Sequence, residues 1–526
     1  MSPTACKDII MRGSIRHHAA AAVMGAVAFL SAATADAKSL DFDVTAYTDN
    51  QTLHPSFYCE QTGGSSTTLS YPYKASGIEF MGTTESGTCD VSTYLEPHSA
   101  FNFHAMAGST SAREVSYQIN LYNDEIEGTQ ITQQAAQFFT YGNASYVLNY
   151  GITDLPMPFN DTAYLYIGND QSDWMAELTG SSGYADITFG DLVLPAAHDA
   201  GMFQISDSNA ATSNLKGVCG TNVPAEFNFL CQEAEYGATA LQNASLTQKD
   251  VIYDQLRIGT RYFDIRPGYP IGDAKANDTN TTHIHNFIPG APLAGMLDDV
   301  SRFLGEHTGE IVVLRIQSNG IDHGYYQFIS STDLTAALDR HIAAGIGYRL
   351  VDDLSTLSGQ SLKSIVGAGK RVIVVYGAEK SATNPTGIPD INDSYDDNDY
   401  QASIHSPTAV NGDVATTLQA CSGGGAQYTL LQLQDTASGA LLPFYTQTQY
   451  TPLILDASEV IGNSDFGNIL QGTKPWFDAV NYPWLQSSAA LASLVACHMP
   501  VVIQNDFVDV ALTSHAIGLS KYRHDN

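Results

Sequence analysis

The chain has 526 residues, 44% hydrophobic and 15% charged, which is long enough for two or three domains with real cores and too apolar for a disordered chain. Its net charge of −32 argues against nucleic acid as a partner and against electrostatic docking on an anionic bilayer.

In chain order, residues 1–37 read as a secretory signal. Lys7, Arg12 and Arg16 precede the apolar run AAAAVMGAVAFLSAA, and Ala35-Asp36-Ala37 supplies a small-x-small cleavage pattern. The run is Ala-rich and falls short of the about 20 strongly apolar residues a membrane span needs. The expectation is a secreted protein, extracellular or periplasmic. Cysteine usage agrees: Cys6 lies in the signal, and Cys59, Cys89, Cys219, Cys231, Cys421 and Cys497 follow, an even number suited to disulfides. Six cysteines allow fifteen connectivities; joining sequence neighbours gives Cys59–Cys89, Cys219–Cys231 and Cys421–Cys497. No CxxC or His-Cys cluster has metal-ligand spacing.

Residues 38–182 read as an all-β domain, sandwich-like. DFDVTAYT, SYQINLY and TAYLYIG alternate or are rich in strand formers, each bounded by Gly, Asn, Asp or Ser. ITQQAAQFF suggests one helical turn. No catalytic constellation falls here; a plain folding module and a glycan- or surface-binding module are both open.

Residues 183–526 alternate strands with helices. DLVLP is a strand, LTQKDVIYDQLRIGT a helix with Ser245 as N-cap and Gly259 near its end, and TRYFDIRPG a strand. APLAGMLDDVSRFLGEHTG predicts a helix with Leu293, Leu297, Val300 and Leu304 on one face. EIVVLRIQ, KRVIVVYG and PVVIQNDFVD are buried strands, DLTAALDRHIAAG is a helix, and Ser381 to Ser422 reads as long loops. The pattern predicts a parallel barrel of the (β/α), TIM type, with insertions. Tyr325, Tyr326 and Phe328 in HGYYQF fit either packing or a rim touching a membrane.

Polar residues collect where these strands end. His198 and Asp199 end the first, Asp264 and Arg266 end TRYFDIRPG, and Asp506 ends PVVIQNDF; His283 and His285 lie in THIHNF. Singly each has a bland reading: a turn, an ion-pair partner, a helix cap. At the carboxyl ends of barrel strands they converge on one face. One imidazole takes a proton, another gives one, and a guanidinium holds phosphate, which is equipment for cleaving a phosphodiester without a metal.

LPAAHDAG, QLRIGTRYFDIRPG and HNFIPGAPLAGMLDDVSRFLGEHTGEIVVLRI resemble the X-region of phosphatidylinositol-specific phospholipase C, in its secreted bacterial branch. The resemblance covers roughly residues 183–318 well and the chain to about Asp509 more weakly. It implies a distorted TIM-type (β/α) barrel, a phospholipid or glycolipid substrate, transient contact with a membrane surface, and no cofactor. His198 would be the general base, His285 the general acid (with His283 a competitor) and Arg266 the phosphoryl clamp. Asp199 and Asp264 would orient His285 and Arg266, and Asp506 would hold the His198 tautomer. Asp435 in LLQLQDTAS and Gln317 are candidates for the head-group hydroxyls. Calcium-dependent members place acidic ligands where this chain has Arg266 and Gln317, which implies metal independence. Two departures stand: Asn286-Phe287 follows His285 where Gly is frequent, and KRVIVVYGAEK carries Gly377-Ala378 where a ring-gripping cation would sit. A glycerophosphodiesterase is a rival, poorly served by HDAG and FDIR; a barrel without activity, with a binding β domain, is another.

Overall fold

The computed structural model describes residues 38–50, 52–60, 67–70, 83–91, 98–120, 125–127, 131–154, 161–219, 238–321, 324–351, 354–377, 392–394, 407–421, 428–435, 441–446, 449–456 and 468–526. The signal-like segment, Cys231 and most of 381–406 lie outside them. From Lys38 onward the chain packs as one compact unit.

Strand-forming alternation builds the first half. It contains β1 (Lys38–Thr48), β2 (His54–Glu60), β3 (Thr67–Ser70), β4 (Thr83–Val91) and β5 (His98–Ala107). These are followed by β6 (Thr110–Asn120), β7 (Glu125–Glu127), β8 (Gln137–Tyr141), β9 (Ala144–Thr153) and β10 (Asp161–Asn169). They form two five-stranded sheets, β4-β1-β10-β9-β8 and β3-β2-β5-β6-β7. Only β1 and β10 pair in parallel; the other pairs are antiparallel. Phe42, Phe57, Phe103, Leu148, Ile152 and Leu165 fill the space between the sheets. Residues at successive strand positions face opposite ways. In TAYLYIG, Ala163, Leu165 and Ile167 therefore enter that core, while Tyr164 and Tyr166 belong to a second core shared with the C-terminal half. The helices Ile469–Leu485 and Val510–Asp525 pack on that second face of β10. A strand apolar on both faces is a central one, covered on both sides.

The second half continues with β11 (Val193–Ala197), β12 (Tyr262–Ile265), β13 (Pro267–Pro270), β14 (Thr282–His285), β15 (Ile288–Pro292) and β16 (Val312–Gln317). Next come β17 (Tyr326–Phe328), β18 (Tyr348–Val351), β19 (Val372–Gly377) and β20 (Asn392–Asp393). The last four are β21 (Thr429–Gln432), β22 (Leu441–Thr446), β23 (Gln449–Asp456) and β24 (Val501–Asn505). Eight of these make a wholly parallel sheet, β18-β19-β16-β12-β11-β24-β21-β20. The expected strand-helix alternation and parallel pairing are there, but the closed ring is not. Among the described residues the edge strands β18 and β20 share no ladder, and β20 has only two residues with which to make one.

Period two also sorts this sheet. Val193, Ala197, Phe263, Ile265, Leu314, Ile316, Val501 and Ile503 face the helices. Leu194, Ala196, Tyr262, Val313, Leu430 and Val502 face inward. Continuing each inward row toward the carboxyl end gives Leu194-Ala196-His198, Tyr262-Asp264-Arg266, Val313-Arg315-Gln317 and Val502-Gln504-Asp506. Every row turns from apolar to polar at the same end. The amino end is fixed by Arg261 and Glu310, both fully buried and paired at 2.7 Å, with Arg261 also donating to the Gln171 and Ser172 carbonyls.

Two further expectations need correction. Residues 245–259 are not one helix: Ala238–Ser245 ends where an N-cap was expected, and Ile252–Ile258 starts only after a coil. The cause is Thr247, Gln248, Lys249 and Asp250, all buried and hydrogen-bonded elsewhere. Gly259 does end the second helix, at φ +118°, a value a side chain resists. Within the supposed loops, Pro407–Cys421 is a helix whose Val410, Val414, Leu418 and Cys421 are buried at helical spacing; the intervening Asn, Gly, Asp and Thr hid the period. The helical turn expected in ITQQAAQFF is present as a short 3-10 turn, Ile131–Gln133, running into β8. Cys421 and Cys497 form a disulfide between that helix and the chain entering β24. Cys219 is disulfide-bonded as well, while its expected partner and the side chains of Cys59 and Cys89 lie outside the described residues.

Candidate active site

Strand register brings the first pair together. β11 and β24 run in parallel with Ala197 opposite Asn505, so His198 and Asp506 emerge side by side although 308 residues separate them. His198 Nδ1–H donates to Asp506 Oδ1 at 2.8 Å, which leaves Nε2 as the nitrogen that faces the other site residues. That nitrogen lies 3.3 Å from an Arg266 terminal nitrogen and 3.3 Å from Asp199 Oδ2. Burial opposes charge on His198, but Asp199 and Asp506 outweigh it and hold the pKa above its ordinary value. Burial pushes the Asp506 carboxyl upward despite the imidazole beside it.

Arg266 is fixed from two sides. It donates to Asp264 Oδ2 at 2.9 Å, and its Nε is 2.9 Å from Asp199 Oδ1. Asp264 in turn accepts from the Gln317 amide, which ends β16 next to it. Both carboxylates are buried, which alone would raise their pKa; Arg266 reverses this and holds Asp264 below, and Asp199 well below, the usual carboxylate range. The guanidinium is thus a permanent cation, with 13% of its side chain exposed.

The two histidines of β14 have different freedom. His283 is fully buried and engaged at both ends: Nδ1 accepts from the Arg266 backbone N–H at 3.2 Å, and Nε2 is 3.1 Å from Asp199 Oδ1. His285 keeps 24% of its side chain exposed, its Nε2 is 3.8 Å from Asp199 Oδ2, and its Nδ1 has no hydrogen-bond partner among the described residues. Burial, with Arg266 and His198 adding repulsion, pushes its pKa down to about 4 against the pull of Asp199. Asp199 therefore sits at the hub, nearer to Arg266, His283 and His198 than to the His285 it was expected to orient.

Backbone strain marks the same place. Among the described residues the non-glycine positions with positive φ are Asp199 (41°), Asn286 (58°) and Phe507 (47°). Each adjoins a site residue: His198, His285 and Asp506. Such φ values cost on the order of 1–3 kcal/mol and persist only where surroundings impose them. Here the Asn286 N–H donates to the Gly320 carbonyl and the Phe507 N–H to Thr247. Gly201 belongs to this framework too, since a Cβ there would stand 2.4 Å from His283 Cβ.

His198, Asp199 and Asp264 offer atoms within 4.8 Å of one another, a spacing that suits a metal ion. Their environment does not. Arg266 is within 3.3 Å of an atom of each, so a cation among them would meet a guanidinium at contact distance. Unit charges about 4 Å apart repel by roughly 4 kcal/mol near a protein surface. Calcium further asks for roughly six to eight oxygens, more than two carboxylates supply.

Asp435 is buried just past β21, the strand that pairs with β24. Tyr326 and Phe328 form β17 at the edge of the four-stranded sheet β15-β14-β13-β17 that carries both histidines. Phe328 stacks on Tyr376, and the Tyr326 hydroxyl lies 3.5 Å from the Asn214 amide. Sequence reading missed Thr247, Gln248 and Asn505, which grip the loops of His198 and Asp506. A run of buried polar residues inside an otherwise apolar helical pattern was the available signal.

The chain is similar to the phosphatidylinositol-specific phospholipase C X-region family. No family model matches it. A PI-PLC X domain-containing protein of Dictyostelium discoideum is 31% identical over 115 residues, 22% of this chain and 16% of that protein, so the match spans about a sixth of the relative. Among solved structures, the phosphatidylinositol-specific phospholipase C of Listeria monocytogenes gives a TM-score of 0.37 at 15% identity, covering 66% of this chain and 98% of that one. A variant of the Staphylococcus aureus enzyme gives 0.36 at 13%, covering 66% and 96%.

Proposed function

We propose that this chain is a phosphodiesterase of the phospholipase C kind, cleaving a phosphoinositide or related glycolipid head group by attack of the head group's own hydroxyl. The observation that carries the reading is His198, held through Nδ1 by Asp506 at 2.8 Å, with its Nε2 3.3 Å from a guanidinium that two carboxylates fix. A phosphoryl group seated on Arg266 places the adjacent hydroxyl against that nitrogen. His198 takes the hydroxyl proton, the new O–P bond forms, and the bond to the diacylglycerol oxygen breaks. His285 gives that oxygen its proton, and a cyclic phosphodiester remains. Arg266 stabilises the charge that grows on the phosphoryl oxygens. No step needs a metal. The substrate implies transient contact with a membrane surface, and the disulfides support an oxidising, extracytoplasmic location.

The protonation order has a consequence. The reacting form carries its proton on His285 and none on His198, the reverse of the order in the empty site. It is still one of the two singly protonated forms, whose sum peaks between the two pKa values. kcat/KM therefore rises with pH through the low pKa of His285 and falls above the raised pKa of His198.

Leaving-group chemistry tests the roles. His285→Ala should lose cleavage of the lipid, whose alkoxide needs a proton, and keep most cleavage of a p-nitrophenyl phosphodiester, whose phenolate does not. His198→Ala should lose both. Equal losses on the two substrates in His285→Ala would remove it as the acid.

A further inference from the structure

Two buried polar routes run from the His198–Asp506 pair into the N-terminal sheets. In the first, the Tyr166 hydroxyl of β10 donates to Asp478 Oδ2 at 3.0 Å, and Asp478 Oδ1 accepts from the Asn505 amide at 2.9 Å. Asn505 Oδ1 accepts from the Asp506 backbone N–H at 2.9 Å, and Asp506 holds His198. The amide has one orientation, because the Asp478 carboxylate accepts and the Asp506 N–H donates; its NH2 also donates to the Tyr482 hydroxyl at 3.0 Å. Lys474 ties the route down, 2.9 Å from Asp478 and 2.7 Å from Asp509. Asp509 caps the Val510–Asp525 helix, whose first N–H donates to Asn149 of β9 at 3.0 Å.

The second route uses the coil 246–251. Asp250 accepts from the Ala136 N–H at 2.7 Å, and Lys249 donates to the Tyr150 carbonyl, its ammonium within 5.2 Å of the Tyr150 and Tyr164 ring centres. The preceding Gln248 donates to the carbonyls of His198 (2.9 Å) and Asn505 (3.2 Å) and accepts from the Val508 N–H. Both routes are buried: Tyr166, Asp478, Asn505 and Asp506 in the first, and Gln248, Lys249 and Asp250 in the second, are at most 6% exposed. A β layer that served only to fold would dock by apolar surface. Buried hydrogen bonds add direction, because each leaves an unsatisfied group if its partner moves.

We infer that the N-terminal sheets are a positioning element of the active site, with Tyr166 acting through Asp478 and Asn505 to set where Asp506 holds His198. The kinetic consequence rests on the phosphodiesterase reading; the geometric one does not. The groups that face His198 are Asp506, Asp199, Arg266, Asp264 and His285. Of these, only Asp506 is reached by the first route.

The test uses the full chain with labelled histidine, following the His198 titration by NMR beside lipid-cleavage kinetics. Tyr166→Phe, or Asp478→Asn should the first not fold, is expected to lower the His198 midpoint by roughly several tenths of a unit. It should also lower kcat on the order of tenfold with KM nearly unchanged. Phe103→Leu, which loosens the far core of the same sheets, should lower the melting temperature and leave the midpoint and kcat alone. A wild-type midpoint and kcat in Tyr166→Phe, or equal shifts in Phe103→Leu, overturns the inference. If the wild type cleaves no phosphodiester and Tyr166→Phe still moves the midpoint, positioning stands and the functional reading falls.

Discussion

The sandwich core and the interior of the parallel sheet differ in where they allow polarity. Among the described residues the filling between the N-terminal sheets is aliphatic and aromatic, without a charged group, with Phe42 and Phe57 edge to face at 4.7 Å. Inside the parallel sheet, apolar side chains fill only one end, and Asp264, Arg315, Gln504 and Asp506 are buried toward the other. Burying a charge is costly unless it is paired and hydrogen-bonded. The parallel sheet meets that condition by setting carboxylates against Arg266 and His198. The difference teaches that, among the described residues, buried polarity in the parallel sheet follows the strand ends, and that the β layers join it from the second face of β10 and from β9 and Ala136 beside it.

The largest effect expected along that contrast is at the polar end itself. His198→Ala should lower kcat roughly 1,000-fold or more while leaving melting nearly unchanged. Asp506→Asn should follow, with a loss of about 100-fold or more. It removes a carboxylate that holds the His198 pKa up, so the falling limb of kcat/KM should move to lower pH; a stationary limb would detach Asp506 from His198. At the apolar end, Arg261→Met leaves Glu310 buried without its partner. Denaturant unfolding should show a loss of about 3–5 kcal/mol with both pH limbs in place, and a displaced limb would mean that the two ends are not separable. The smallest effect is chelation: excess EDTA should leave lipid cleavage within about twofold. A loss restored by calcium would show that the guanidinium does not fill the cation's place.

Much of this was legible. The strand ends could be read because alternation and turn residues are local, and His198, Asp199, Asp264, Arg266, His285 and Asp506 do converge. Register was not legible: nothing near His198 in sequence says that Asn505 pairs with Ala197. Nor was the choice between His283 and His285, which depends on what each ring touches. The strained φ of Asp199, Asn286 and Phe507 is imposed by contacts far along the chain. The helix break at 246–251 was missed because Thr247, Gln248, Lys249 and Asp250 spend their hydrogen-bonding groups on other segments instead of their own helix.

Phosphorus NMR of the full chain with phosphatidylinositol micelles and excess chelator, beside His198→Ala, tests the central claim most directly. The expected result is a cyclic phosphodiester resonance that grows with wild type and is absent with the variant. No new resonance with or without calcium, or the same product from His198→Ala, would contradict it.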